Sequence, residues 1–288
     1  MNPPAPIEIA RLEESRMERA MRELVDICED FAGGVMCYLE PGSYDNMSVN
    51  VGMSGPIPAA QRKADIDRFI SFYESRGVEP RAELCFHADK DLMLELGARG
   101  LTVRELNNIL ARPIDRSVGS IELPHGWPTD DDGRPLRIER VDPSDDDAIR
   151  TAAEIANLMF HEHPEPITPT QHEMHRRIAA HPRSEVLLAF FGDTPVATAG
   201  AEHPATESDP PVSALFAAAT LNEYRGRGVQ QALILHRLRT SLAGGAAVAT
   251  IHAQPGIPTE RNCARLGFHL SYAKIVLAKS GPGLVPSV

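Results

Sequence analysis

The segment from Gly77 to Ala111 can be laid without gaps over Gly244 to Ala278, so that "AELCFHA" falls on "ATIHAQP", Gly100-Leu101 on Gly267-Phe268, and "NNILA" on "KIVLA". Apolar positions coincide in two strand-like pieces and at one helix exit, and ordered self-similarity of this kind implies two copies of one unit. A chain of 288 residues is long for one domain and fits two. Residues 115–134, "DRSVGSIELPHGWPTDDDGR", are rich in Gly, Pro and Asp and lack periodicity, which marks a linker. The expected layout is a first domain over residues 1–114, the linker over 115–134, and a second domain over 135–288.

Both halves read as mixtures of helix and strand. Residues 12–31 carry Met17, Met21, Leu24, Val25 and Cys28 at three-to-four spacing, which predicts one helix. Strands follow at "VMCYLE" and "MSVNVGM", then a helix over "AAQRKADIDRFISFYESRG", a strand "RAELCFH", a helix "DKDLMLELGARG" and a strand "NNILAR". The second half runs strand "RIERV", helix "DDDAIRTAAEIANLMF", helix "QHEMHRRIAA", and strands "EVLLAFFG", "TPVATAGAEH" and "VSALFAAAT". A glycine loop, its helix, a strand "AAVATIHA", a short helix and a last strand "YAKIVLA" complete it. The fold class is α/β with a mixed sheet.

The glycine loop is the segment with chemistry. In "NEYRGRGVQQALI", residues 222–234, Gly226 and Gly228 stand two apart at the entrance of an amphipathic run, where glycine is otherwise unfavourable by roughly 1 kcal/mol. A helix entrance leaves N–H groups unpaired at the positive end of the macrodipole, and bare backbone lets a phosphate approach them. Arg225 and Arg227 add guanidinium groups whose geometry suits phosphate. In the first copy the position equivalent to Arg225 is Pro58, in "SGPIPAAQ", which has neither the glycine pair nor an arginine.

Composition narrows the partners. With 29 basic and 40 acidic residues the net charge is -11, and no basic face stands out, so nucleic acid is not an expected partner. The start of the chain has no apolar segment of signal-peptide or membrane-spanning length, and a soluble, cytoplasmic protein is expected. Cys28, Cys37, Cys85 and Cys263 have no paired CxxC spacing, so reduced thiols are the default reading.

The order "LFAAAT", "LNEYRGRGVQ", helix, "VATIHAQ", "RNCARLGF" resembles the GNAT superfamily of N-acetyltransferases, over roughly residues 136 to 280. The family's phosphate loop, [QR]xxGx[GA], reads here from Arg225 through Gly228 to Gln230, where Gln230 departs from the usual Gly or Ala. The resemblance implies acetyl-CoA as co-substrate, held by Arg225, Gly226, Arg227, Gly228, Val229 and Gln230. It also implies that the backbone of Ala218, Ala219 and Thr220 meets the pantetheine arm and the thioester carbonyl. Asn262 either bonds the pantetheine or caps local backbone. The repeat then implies two GNAT-like domains in tandem, the N-terminal one degenerate, binding no CoA and docking on its sister domain or on another subunit; a homodimer is one such arrangement.

Acetyl transfer to an amine needs a neutral nucleophile, an oriented thioester, an oxyanion site and a proton for the leaving thiolate. The strand "VSALFAAAT" contains no acid, which leaves Glu202 and Glu223 as candidate bases. For the general acid, counting back three from Leu266 gives Cys263 where the family often has a tyrosine, and Tyr272 is an equal candidate. The cluster His161, Glu162, His163, Glu165, His172, Glu173 and His175 lacks the i, i+4 geometry of "HExxH", so no metal is assigned; the resemblance implies that this segment borders the acceptor groove and selects substrate. The resemblance implies a small-molecule or peptide amine as the acceptor. The rival expectation is a CoA-binding sensor without turnover.

Overall fold

The computed structural model describes residues 5–161, 164–206 and 208–287. They group into two compact units, Met1–Ile109 with Leu270–Val288, and Leu110–His269. This division differs from the sequence layout at both joints. The last segment of the chain belongs to the first unit, and residues 115–134 lie inside the second.

The first unit opens with helix α1 (Pro6–Leu24), followed by strands β1 (Ile27–Phe31), β2 (Gly34–Tyr38) and β3 (Ser48–Val49). The helix expected over residues 12–31 therefore stops at Leu24. Ala32 and Gly33, both at positive φ, make a two-residue turn, so Ile27–Phe31 pairs antiparallel with Gly34–Tyr38. Hairpin pairing across this tight turn wins there over a helical period that Cys28 happens to extend. Helix α2 (Ala59–Glu74), strand β4 (Arg81–Cys85) and helix α3 (Lys90–Ala98) follow, with strand β5 (Thr102–Pro113) crossing the unit boundary at Ile109. Phe31 stacks on Phe69 with ring centroids 4.5 Å apart, and Tyr73, Leu84, Leu92 and Leu96 complete a core of sheet against α2 and α3. The final strand, β11 (His269–Ala278), pairs antiparallel with β4 from Lys274 to Ala278, and its Leu277 enters the same core.

The second unit holds strand β6 (Arg137–Arg140), helices α4 (Asp146–Phe160) and α5 (Pro169–Ala180), and strands β7 (Ser184–Phe191), β8 (Thr194–Glu202) and β9 (Val212–Thr220). Helix α6 (Val229–Ala243), strand β10 (Val248–Ala253) and helix α7 (Pro258–Arg265) complete it. β6 to β9 form an antiparallel meander, and β10 joins β9 in parallel. β7 is buried on both faces: Leu187 and Ala189 meet α6, while Leu188 meets α4 and α5. Asp145 caps α4 by accepting from the Ala148 amide, and Thr168 with Gln171 forms a capping box on α5.

The stretch read as a linker is packed. A short 3-10 turn over Arg116–Ser120 buries Val118, and Val118, Ile121 and Leu123 join the core against α6. Those three apolar residues in a Gly-, Pro- and Asp-rich run are what ties it down.

Candidate cofactor cradle and groove

β9 carries the geometry on which the site depends. Among the described residues it pairs with β10 only over Val212–Ala214, whereas β8 follows it to Thr220. Between these limits lies a bulge: the β8–β9 register shifts between Thr198 and Gly200, and Ala217 adopts φ +47°. The segment Ala218–Thr220 thus extends beyond the pairing with β10 at Val212–Ala214, toward the loop that begins α6. An edge released from its parallel neighbour is a place where an extended ligand can add backbone hydrogen bonds.

The loop itself has the form the sequence predicts. Gly226 and Gly228 sit at φ +76° and +82°, and Gly228 is the N-cap of α6 with no side chain capping it. No heavy atom lies within 4 Å of the place a Cβ would take at Gly226, so the approach to the first amides of α6 is open. At Gly228 the requirement is conformational, since the left-handed region costs a residue with a Cβ roughly 1–2 kcal/mol. Uncapped N–H groups, the helix dipole and an open approach fit a pyrophosphate.

The side chains divide more unevenly than expected. Arg225 is exposed and reaches back to the Thr220 carbonyl (3.3 Å) and the Met159 sulfur (3.7 Å). Arg227 donates both guanidinium arms to Asp131 at 2.7 and 3.2 Å, holding that carboxyl below the usual carboxylate range. Its charge is therefore shared with an exposed partner, which a phosphate has to displace. Gln230 turns its amide toward Thr259 (2.9 Å), and Asn262 donates to Gln230 (2.5 Å) and accepts from Gln231 (2.9 Å). The bulk at position 230 is thus taken up between α6 and α7. Asn262 fills the role of a helix-to-helix clasp, and Val229 is buried in the core.

A groove of about 430 Å³ adjoins Arg225, lined by Leu158, Met159, His161, Leu221, Asn222 and Glu223 among others. Of the two candidate bases, Glu223 lines it. Glu202 is buried at the other end of β8, paired with Arg183 at 3.3 Å, and its register partner is Ala214. Met159, Leu221 and Asn222 were not singled out by sequence; the only hint was an apolar "LMF" run ending α4 where a helix exit is usually polar, and Leu158 and Phe160 are indeed exposed.

Both expected acids are buried. Cys263 is fully buried beside Ile234, Leu238 and Leu266, and burial pushes its thiol up to about 12. Tyr272 belongs to the first unit, where its hydroxyl donates to Glu14 at 2.9 Å and burial beside Glu14 and Glu13 raises its pKa far above the phenolic range. A proton so held is unavailable to a leaving thiolate. Of the His-rich cluster, Glu162 and His163 lie outside the described residues. His161 lines the groove, His172 bonds Asp146 at 3.0 Å, Glu173 meets Arg177 at 3.4 Å, and burial lowers the pKa of His175.

The equivalent helix entrance in the first unit is built differently. Pro58 is the N-cap of α2, the Ile57 amide donates to Asp89 at 3.0 Å, and Arg62 is engaged by Glu95 at 2.7 Å with Asp89 and Asp91 nearby. Carboxylates already occupy the place of an anion.

No family model matches the chain, and no curated relative matches it in sequence. Among solved structures it is similar to a GCN5-related N-acetyltransferase from Kribbella flavida, at 19% identity, covering 96% of each chain with a TM-score of 0.66. It is also similar to a GCN5-related N-acetyltransferase from Sphaerobacter thermophilus, at 14% identity over 100% of this chain and 96% of that one, TM-score 0.59. A tandem GNAT protein from the clavulanic acid biosynthesis pathway matches at 12% identity over 98% of this chain and 91% of that one, TM-score 0.61. The chain has the tandem GNAT fold.

Proposed function

We propose that the second unit is an acetyl-CoA-dependent N-acetyltransferase acting on a primary amine by direct attack, and that the first unit binds no CoA. The observation that carries this reading is the conjunction of an uncapped α6 N-terminus at Gly226–Gly228 with a β9 whose recorded pairing to β10 ends at Ala214. The α6 amides and Arg225 bind the pyrophosphate; the free edge at Ala218–Thr220 takes the pantetheine arm. The amine enters through the groove, where Glu223 and His161 are the groups able to accept its proton, directly or through water. As the amine nitrogen attacks the thioester carbon, a backbone N–H of Ala218–Thr220 stabilises the oxyanion. Collapse of the tetrahedral adduct expels the CoA thiolate, which takes its proton from water.

Calorimetry and a thiol-release assay test the reading. Acetyl-CoA is expected to bind at one molecule per chain, with Arg225→Ala weakening it by roughly 1.5–3 kcal/mol, the worth of a charge-assisted contact. Gly228→Asp adds a like charge and backbone strain at the same point and is expected to abolish binding. Unchanged affinity in both variants places the cradle elsewhere, and two CoA per chain refutes a first unit without a site. A second reading, CoA binding without turnover, is favoured by one observation: the Cys263 thiol and the Tyr272 hydroxyl are both buried, and burial raises the pKa of each. Tight acetyl-CoA binding with no thiol released against a panel of amines, antibiotics and peptide N-termini decides for it.

A further inference from the structure

The hairpin of the first unit sets two cysteines face to face. The register of β1 and β2 pairs Cys28 with Cys37, and the turn at Ala32 and Gly33 fixes that register. The Cys37 amide donates to the Met47 carbonyl and the Cys37 carbonyl accepts from the Tyr73 hydroxyl, so the backbone of Cys37 is turned away from β1. Cys28 and Cys37 are therefore a non-hydrogen-bonded pair, the antiparallel arrangement that brings opposed side chains closest, with Cα atoms about 4.5 Å apart and inside the span a disulfide accepts. Their sulfur atoms stand 2.8 Å apart as free thiols.

We propose that Cys28 and Cys37 form a reversible intramolecular disulfide when the protein meets a peroxide, a modification site on residues the transferase chemistry does not use. The two thiols are differentiated for this. Cys28 is half-buried; the hydrogen bond from Cys37 lowers its pKa, with the Arg22 guanidinium acting in the same direction. Cys37 is fully buried, and donating to Cys28 raises its own pKa, as does burial. Cys28 is thus the more readily ionised thiol and the one a small oxidant can reach, and Cys37 the thiol that resolves.

The step balances. The Cys28 thiolate attacks one peroxide oxygen and the O–O bond breaks, giving the Cys28 sulfenic acid and hydroxide, which leaves as water after taking a proton. The Cys37 sulfur then attacks the Cys28 sulfur, the S–O bond breaks, and the hydroxyl departs as a second water with the Cys37 proton. Hydrogen peroxide is reduced by two electrons and the dithiol oxidised by two; a dithiol reductant reverses the change. Cys85 and Cys263 are both buried, with thiols pushed up to about 12, and serve as internal controls.

The test exposes the full chain to hydrogen peroxide, alkylates free thiols after denaturation, and maps the product after cleavage at Glu29, which lies between the pair. The expected product has lost the mass of two hydrogens, keeps two of its four thiols alkylatable, and yields a peptide linked through Cys28 and Cys37 that dithiothreitol separates. In Cys37→Ser, a sulfenic-acid trap is expected to label Cys28; in Cys28→Ser it is expected to leave Cys37 unlabelled. Complete alkylation of both cysteines after peroxide overturns the proposal. So does a wild-type chain in which Cys28 is oxidised alone or links to a second molecule.

Discussion

Replacing Lys274 by methionine is expected to destabilise the first unit by about 3–5 kcal/mol, the cost of breaking a buried ion cluster from one side. Lys274 is fully buried, with its ammonium 3.2 Å from Glu14 and 3.1 Å from Glu83, both also buried. Glu14 in turn accepts from Tyr272, and Glu83 lies 3.5 Å from Arg81. Methionine fills much of the same volume, so the loss comes from two carboxylates left facing each other in a dry interior and not from a cavity. Burial acts to lower the ammonium's pKa, but Glu14 and Glu83 hold it above the ordinary lysine value. Its contribution is consequently present across the neutral range and fades only as pH rises beyond about 10.4. Hydrogen exchange in α1 and β11 reads the effect on this unit alone. Adding Glu14→Gln and Glu83→Gln to Lys274→Met is expected to recover much of the loss, because the three groups act as one network. A single variant that loses less than about 1 kcal/mol would mean that water reaches the cluster.

That cluster was invisible to sequence, and the reason is physical. Glu13, Glu14 and Arg16 sit on α1 among residues of helical period, and a charge on a helix ordinarily marks the solvated face. Only the arrival of Lys274 and Tyr272 from the far end of the chain makes a buried site for them. The same event explains why the sequence layout failed at residue 270, since periodicity carries no information on which sheet a last strand joins. The backbone form of the glycine loop, by contrast, is legible in thirteen residues because its requirement is local: two glycines at positive φ and a helix start. What Gln230 and Asn262 do depends on α6 meeting α7, and what Cys28 does depends on the partner across a hairpin.

The other large effect is expected at Arg237, whose truncation reaches both the fold and the proposed site. Arg237 is almost completely buried on α6 and donates to the carbonyls of Gly200 (2.9 Å) and Phe216 (3.2 Å), the two residues opposed at the β8–β9 bulge, while its Nε bonds Leu233 (3.0 Å). A Cβ at Gly200 would overlap the Phe216 ring, so the bulge is closed by packing as well as by the shared donor Nη1 of Arg237. Burial lowers the guanidinium pKa to about 10, which still leaves it charged at neutral pH. Arg237→Met keeps the apolar stem and removes the donor from one buried and one part-buried carbonyl, at roughly 1–3 kcal/mol for the buried one, so a loss of about 2 kcal/mol or more is expected in denaturant unfolding of the second unit. Without that brace the positive φ of Ala217 has no support, and β9 is free to straighten and extend its pairing with β10 beyond Ala214. Acetyl-CoA affinity should therefore fall even in protein that remains folded at low temperature. Arg237→Lys, whose ammonium can still donate to the two carbonyls that Nη1 serves but loses the Nε bond to Leu233, is expected to lie between wild type and Arg237→Met. Calorimetry on folded Arg237→Met is decisive: wild-type affinity there would show that the bulge holds its shape by packing alone and that the guanidinium serves only stability.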